Sequence, residues 1–192
     1  SERSGFRHLY VANEDGSGSH RLVASGGSNP AWSPDGEKIA YVNSGDIWVM
    51  NADGSGKTRL TTEGTNRSPA WSPDGKKIAF ASNRGDLDIE HIYVMNADGT
   101  GQARLTSTAA VHEGQPVWSP LGDKVAFIRT VLLAGGNVFV INADGTGEQR
   151  VSDSGASAGY PVWSPIGNKL AFHQRESGGK SRIWVKNFAD NT

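Results

Sequence analysis

The 192-residue chain contains no cysteine, which excludes disulfides, thiolate metal sites and a cysteine nucleophile. A basic excess is also missing, because 19 Lys and Arg residues face 20 Asp and Glu residues and leave a formal net charge of −1. Proteins that bind nucleic acid normally carry a basic surface, so the composition predicts no nucleic acid partner. Apolar runs such as Val131–Ala134 are far shorter than the roughly 20 residues of a membrane span. We therefore predict no membrane insertion, and no signal peptide is recognisable in the sequence.

Prolines are few, and all eight lie in one five-residue phrase that occurs four times. The phrase reads Pro-Ala-Trp-Ser-Pro or Pro-Val-Trp-Ser-Pro, at 30–34, 69–73, 116–120 and 161–165. Proline fixes φ and lacks a backbone donor, so the repeat predicts the same local geometry four times. The tryptophans of the phrase are 39, 47 and 45 residues apart, near the roughly 40–45-residue period of β-propeller blades. We expect these tryptophans to be core residues.

Residues 69–106 show the repeating unit most clearly. The short run Pro69–Ser72 leads into a Pro-Asp-Gly turn, the apolar strand Lys77–Ser82, a polar loop and a third strand, His91–Met95. An Asp-Gly hairpin turn follows, and Arg104–Thr106 closes the unit as a fourth strand. Four antiparallel strands per repeat are typical of a β-propeller blade. The sequence therefore predicts an all-β fold, a β-propeller of four-stranded antiparallel blades with about four blade equivalents.

The same pattern sets the expected boundaries within a single propeller domain at 1–192. We predict a partial blade at 7–25, blades at about 30–63, 69–107 and 116–152, and an incomplete last blade at 161–187. Both a closed four-bladed ring and an excerpt of a larger, for example six-bladed, propeller fit this strand count. An excerpt would expose open blade edges, which pair readily with other strands, so the pattern also allows a homo-oligomer.

The repeat resembles the TolB-like propeller repeat, a WD40-like family also known as PD40. The shared segments are Trp-Ser-Pro-Asp-Gly, Ile-Tyr-Val-Met, Asn-Ala-Asp-Gly and Arg-Leu-Thr within residues 69–106. Leu121 and Ile166 replace the first turn aspartate in the last two copies, which changes a turn hydrogen bond. The family's namesake is a periplasmic six-bladed propeller with an additional amino-terminal domain, and it binds a peptidoglycan-associated lipoprotein. The resemblance implies a protein partner and a periplasmic or extracellular location, although the extra domain and about two blades are expected to be missing here.

Strand polarity separates two sets of connections. If the strands of a blade are labelled a to d from the centre outwards, the a–b and c–d turns lie on one face and the b–c and d–a loops on the other. The turns are nearly uniform among the copies, whereas the loops differ in length and chemistry. Variable loops on a rigid scaffold usually carry recognition. We therefore predict that the b–c/d–a face binds a protein or cell-envelope partner, with neutral loop drift as the alternative.

The candidate binding residues of this face carry charge, an imidazole, an amide, an aromatic ring or an unusual apolar loop side chain. They are Arg67, Asp86, Asp88, His91, His112, Glu113, Gln115, Leu132, Tyr160 and His173. Six of them are expected at the mouth of the central channel, namely Arg67, His112, Glu113, Gln115, Tyr160 and His173. The acidic loop that ends at His91 either holds a divalent cation, contacts a basic partner or is merely solvated.

The sequence offers no convincing catalytic constellation. Residues 155–159 have the Gly-x-Ser-x-Gly spelling of a nucleophile elbow, but Pro161 and a short strand follow where that motif requires a helix. The Asn-x-Asp-Gly-x-Gly hairpins at Asn51, Asn96 and Asn142 resemble calcium loops but lack the distal glutamate. We therefore predict a non-enzymatic interaction scaffold without a cofactor, with a divalent cation such as calcium as a minor alternative. The alternative function is an enzyme domain of polysaccharide lyase or prolyl-peptidase type, with a ligand or metal site at the channel mouth.

Overall fold

A computed structural model of the chain describes residues 7–85, 89–108, 111–131, 135–153, 157–176 and 179–188. These residues form seventeen β-strands in five antiparallel sheets. Over the same ranges the chain forms no helix, and hence none that is long and apolar enough to cross a membrane.

The sheets follow one another in chain order. The first contains β1 (Leu9–Val11) and β2 (His20–Val23). The second contains β3 (Gly27–Trp32), β4 (Lys38–Asn43), β5 (Asp46–Asn51) and β6 (Thr58–Arg59). The third contains β7 (Asn66–Trp71), β8 (Lys77–Ser82), β9 (His91–Asn96) and β10 (Ala103–Arg104). The fourth contains β11 (His112–Trp118), β12 (Lys124–Val131), β13 (Gly135–Asn142) and β14 (Gln149–Arg150). The fifth contains β15 (Ala158–Trp163), β16 (Lys169–Arg175) and β17 (Ser181–Asn187).

Contacts between sheets also follow chain order. Strand β7 packs on β3, β4 and β5, β11 packs on β7, β8 and β9, and β15 packs on β11, β12 and β13. Among the described residues the first and fifth sheets do not meet, so the sheets do not close into a ring. The predicted all-β fold of four-stranded antiparallel blades is confirmed, and a closed four-bladed ring is not observed.

Each gap between neighbouring sheets encloses its own apolar core, and the second strand of each sheet supplies both walls. In β8, Ile78 and Phe80 face the second sheet, whereas Ala79 and Ala81 face the fourth. Side chains alternate between the two faces of a strand, so large residues fill one gap and alanines leave room in the next. The sequence pattern of a large residue, alanine and an aromatic residue therefore encodes stacking in one direction.

A tryptophan fixes each sheet to the sheet before it. Its indole Nε1–H donates a hydrogen bond to a backbone carbonyl in the innermost strand of the preceding sheet. The bonds run from Trp71 to Ala31 at 3.1 Å, from Trp118 to Ala70 at 3.2 Å and from Trp163 to Val117 at 3.2 Å. Trp118 and Trp163 are buried, but Trp32 is 50% exposed because the first sheet has no described inner strand to cover it. The expectation that all four tryptophans are core residues is therefore wrong for Trp32.

Aspartate side chains accept hydrogen bonds within most of the uniform turns. In the c–d hairpin that ends β9, Asp98 Oδ1 accepts bonds from the backbone N–H and the hydroxyl of Thr100, at 2.9 and 2.7 Å. The next residue, Gly99, has φ of +89°, a conformation that glycine adopts without strain. In the fourth sheet, where Leu121 replaces the usual turn aspartate, the Ser119 hydroxyl donates to Asp123 instead, at 2.6 Å. The turn hydrogen bond is therefore kept with a different acceptor.

We expect the buried tryptophans to contribute far more stability than the exposed one. Trp118→Ala should lower the free energy of unfolding by about 3–5 kcal/mol, because it removes a buried ring and leaves a cavity. Trp32→Ala, the matched change in the same phrase, should cost only about 0.5–1 kcal/mol because half of its ring already meets solvent. Urea unfolding of the two variants measures both values. Equal losses would contradict the assignment of Trp118 to the core and of Trp32 to the surface.

Stability should fall in acid because the turn carboxylates are hydrogen-bonded in the folded state. The hydroxyl and then the backbone N–H of Thr100 hold the pKa of Asp98 below its ordinary value of 3.8. The unfolded chain then binds more protons, so the stabilisation is present above about pH 4 and is lost as the pH falls through the folded-state pKa. Thermal unfolding between pH 6 and pH 2.5 should show this loss. Asp98→Asn keeps an acceptor but no charge, so its melting temperature should depend less on pH; an unchanged slope would contradict the assignment.

Candidate functional site

A cavity of about 330 Å³ opens on the b–c/d–a face, where the innermost strands of three sheets meet. Its wall includes Asn29 from β3, Arg67 and Ser68 from β7, and a run of β11 that contains Gln115. Ile128 and Thr130 of β12 complete the far side. The cavity therefore lies at the inner ends of the strands, on the face that carries the irregular loops.

A repeated irregularity of the inner strand shapes this wall. The residue before the first proline of each phrase has positive φ, between 48° and 53°, and the pairing with the next strand shifts at that point. These residues are Asn29, Ser68, Gln115 and Tyr160. Because the conformation is the same in all four copies, it belongs to the repeat, and only the side chains differ. Positive φ is uncommon for residues other than glycine and costs free energy that the surrounding fold must supply.

Gly114 provides the space inside the cavity. A β-carbon at this position would meet no other atom within 4 Å, so the backbone borders on open volume. The corresponding residue of the preceding sheet is Arg67, whose guanidinium lines the same cavity. The cavity thus lies between Gly114, which has no side chain, and the long side chain of Arg67 in the neighbouring sheet.

The structure brings together four of the predicted site residues. Arg67, His112, Glu113 and Gln115 all line the cavity. Tyr160 and His173 lie together in the fifth sheet, with ring centroids 5.5 Å apart. Ile128 connects the two groups, because it lines the cavity and lies next to Gly159 and hence to the Tyr160–His173 pair.

Arg67 forms an ion pair at the rim of the cavity. Its Nε lies 3.1 Å from Glu90 Oε1, and its side chain is 62% exposed. Glu90 was not predicted as a site residue, and neither were Asn29, Ser68 and Thr130. Asn29 and Ser68 directly precede a proline phrase, and Thr130 lies near the end of the strand that pairs with one. These positions could have identified the three residues from the sequence.

Glu113 and His91 were predicted on the binding face, but the structure buries both to 1% exposure. Glu113 Oε1 accepts hydrogen bonds from Arg129 Nε at 2.9 Å and Arg129 Nη2 at 2.6 Å. The Thr106 hydroxyl donates to the other oxygen of Glu113, and His91 Nδ1 lies 3.4 Å from it. These two residues therefore connect the third and fourth sheets beneath the cavity and do not form part of an exposed surface.

Arg129 lies at the centre of this buried network. It also donates to both oxygens of Glu148, each at 2.8 Å, and its guanidinium lies 4.1 Å from the centre of the Phe139 ring. Burial lowers the pKa of Arg129, but the hydrogen bonds to Glu148 and Glu113 outweigh it and raise the pKa overall. The guanidinium of Arg129 is thus hydrogen-bonded to both carboxylates.

Related networks occur at the other sheet junctions. Asp46 of the second sheet accepts from Arg59 Nη2 at 2.6 Å and from the Thr61 hydroxyl at 3.0 Å, and Asn66 of the third sheet donates to it at 3.4 Å. In each complete sheet, the hydroxyl of a residue that follows the fourth strand accepts a hydrogen bond from a backbone N–H of the third strand. These bonds run from Ile47 to Thr61, from Ile92 to Thr106 and from Val138 to Ser152. The Glu113 network is therefore a local version of a repeated structural link.

Three predicted site residues, Asp86, Asp88 and Leu132, lie outside the described residues, as do residues 155 and 156 of the nucleophile-elbow spelling. Over the ranges that are described, no group of three or more His, Cys, Asp or Glu side chains is arranged to hold a metal ion. The hairpin aspartates considered as calcium ligands bind their own turns, as Asp98 does. The prediction of no cofactor stays a prediction.

The sequence model of a family described as the TolB beta propeller domain matches residues 1–192. No curated protein matches the chain in sequence. Among solved structures, TolB from Acinetobacter baumannii has 22% identity and a TM-score of 0.79, over 96% of this chain and 47% of that protein. A protein described as putative TolB from Agrobacterium tumefaciens has 22% identity and a TM-score of 0.78, over 94% and 70%. Oligogalacturonate lyase from Vibrio parahaemolyticus has 16% identity and a TM-score of 0.75, over 97% and 57%.

At these identities the structural likeness concerns the fold. The chain spans about half the length of the Acinetobacter TolB that it matches. The similar structures include TolB proteins and a lyase, so they support neither a catalytic nor a purely binding role on their own.

We expect the buried ion pair to matter more for stability than the exposed one. Arg129→Met leaves the Glu113 carboxylate buried without its cation and should cost about 3–5 kcal/mol of unfolding free energy. Arg67→Met, the matched change at the exposed pair with Glu90, should cost at most about 1 kcal/mol. The double variant Arg129→Met/Glu113→Leu should regain much of the loss. Urea unfolding measures all three, and an additive loss in the double variant would contradict a coupled buried pair.

Proposed function

Because this chain belongs to the TolB β-propeller family over its whole length, we propose that it is an interaction scaffold that binds a protein partner of the cell envelope. The proposal places the partner on the b–c/d–a face and the chain in the periplasm or outside the cell. The observation that carries it is the cavity at the inner strand ends, which lies on the face where loop length and chemistry differ from sheet to sheet.

The two faces differ in how their polar groups are used. On the turn face, the carboxylates of Asp53, Asp98 and Asp144 accept hydrogen bonds from their own turns in the same way in successive sheets. On the cavity face, the side chains of His112 and Gln115 line the open volume and form no hydrogen bond to another described residue. Polar groups already paired within the fold have little to offer a partner, so the cavity face is the better binding surface.

The residues proposed to contact the partner are the exposed ones of the predicted set. They are Arg67, His112, Gln115 and Tyr160. His91 and Glu113 support the surface from below through the buried network. Binding sites commonly combine an accessible rim with a rigid, fully paired floor, because a pre-organised surface loses less entropy on binding.

A catalytic role has less support. The lyase among the similar structures shares only 16% identity, which reflects a common fold. Within the described part of the chain there is no cluster of potential metal ligands. We therefore propose a non-enzymatic role for the chain.

Titration with the soluble domain of a peptidoglycan-associated lipoprotein, the partner class that the family resemblance implies, tests the proposal. Arg67→Glu reverses a charge on the cavity rim and should weaken binding about tenfold or more, equivalent to roughly 1.4 kcal/mol. Lys76→Glu is the matched charge reversal on the turn face, where Lys76 is also exposed, and should leave the affinity unchanged. Absence of binding by the native chain, or an equal effect of the two variants, would argue against the proposal.

A further inference from the structure

The cavity contains an unusual concentration of polar side chains without protein partners. Within the described part of the chain, the side chains of Asn29, Ser68, His112, Gln115 and Thr130 form no hydrogen bond to another residue. Elsewhere comparable groups are used by the fold, as with Asn66, whose amide donates to carbonyls of neighbouring loops. Amide, hydroxyl and imidazole groups that converge on one small volume can bind a ligand that carries several hydroxyl groups.

The charged side chains at the cavity wall are paired with one another. Arg67 is paired with Glu90 at 3.1 Å, and Glu113 is paired with Arg129 at 2.6 Å. Arg129 is shared with Glu148 at 2.8 Å and the Glu113 side chain is fully buried, so no unpaired cation faces the volume. Burying a charged ligand group costs free energy unless an opposite charge compensates it, so this wall disfavours an acidic ligand.

An exposed aromatic surface adjoins the cavity. Tyr160 is 71% exposed, and its ring lies 5.5 Å from that of His173 at an angle of 46°. Ile128 reaches from the cavity wall towards this pair, since a methyl group on Gly159 would lie 3.3 Å from its Cδ1. A large aromatic ring with one free face offers an apolar platform and a polar hydroxyl at its edge.

Together the polar cavity and the tyrosine ring form two adjoining subsites of different chemistry. A sugar ring presents hydroxyl groups around its edge and C–H groups on its faces, which match the two subsites in turn. The cavity volume of about 330 Å³ lies at the small end of the roughly 300–1,000 Å³ of ligand pockets, a size suited to one sugar unit.

We propose that this site binds a neutral oligosaccharide, with one sugar unit in the cavity and the next against Tyr160. The inference goes beyond the proposed protein-binding function and does not require it. An acidic saccharide is disfavoured because no unpaired cation faces the cavity.

Calorimetric titration with cellotetraose and chitotetraose, two neutral tetrasaccharides, and with tetragalacturonate, an acidic one, tests the class of ligand. We expect at least one neutral tetrasaccharide to bind, and tetragalacturonate to bind at least about tenfold more weakly, a difference of roughly 1.4 kcal/mol. Failure of both neutral sugars to bind, or equal binding of the acidic one, would overturn the proposal. Lipoprotein binding is measured separately, so either proposal can fail while the other holds.

Variants at Gly114 and Tyr160 test the location. Gly114→Leu should fill the cavity and weaken binding at least about tenfold, whereas Gly114→Ala places only a methyl group in the open volume and should bind normally. Tyr160→Asn removes the ring but keeps a residue that tolerates positive φ, as Asn29 does at the matching position, and should also weaken binding. Thermal unfolding checks that each variant is folded. Undiminished affinity in both Gly114→Leu and Tyr160→Asn would overturn the location, and the tyrosine variant decides alone if Gly114→Leu does not fold.

Discussion

The hydrogen bond from each tryptophan to the preceding sheet is the interaction on which the architecture depends. Trp118 illustrates it: the indole ring packs over Ala70, and its N–H binds the carbonyl of the same residue. One contact thus combines apolar burial with a directed bond, which fixes both the distance and the relative rotation of two sheets. Because the same contact occurs at successive junctions, the inner strands of the second to fifth sheets lie next to one another, and their irregular starts gather on one side.

Within one short segment, this constraint fixes the backbone conformation, whereas the side chains can serve recognition. The tryptophan phrase fixes the backbone, including the positive φ of the residue before its first proline, and this holds whether that residue is Asn29, Ser68, Gln115 or Tyr160. The strain of this conformation is carried by the sheet contacts that follow it in sequence. The side chain at the strained position is therefore free to vary without loss of the fold, and the cavity chemistry can change from sheet to sheet.

Much of this arrangement is present in the sequence. Alternation such as Lys77–Ser82 and the regular turns determine the strands, and the gathering of Arg67, His112 and Gln115 follows because each lies just before a proline phrase. The burial of Glu113 was not predictable, because its partner Arg129 lies in another strand and only the pairing of β11 with β12 brings them together. The role of Gly114 was not predicted, since the space left by its missing side chain has meaning only when a neighbouring sheet faces it.

The buried network of Glu113 and Arg129 carries a cost in desolvation free energy. A buried ion pair seldom stabilises a protein more than apolar packing of similar volume, because two charges must leave water. At the junction of the third and fourth sheets, however, Glu113 lies in the wall of the cavity and not deep in an apolar core. With Arg129 and Thr106 occupying its oxygens, the buried carboxylate holds in place the backbone that borders the cavity. Apolar residues there would stabilise the junction equally well, but their contacts are less directional and would hold that backbone less precisely.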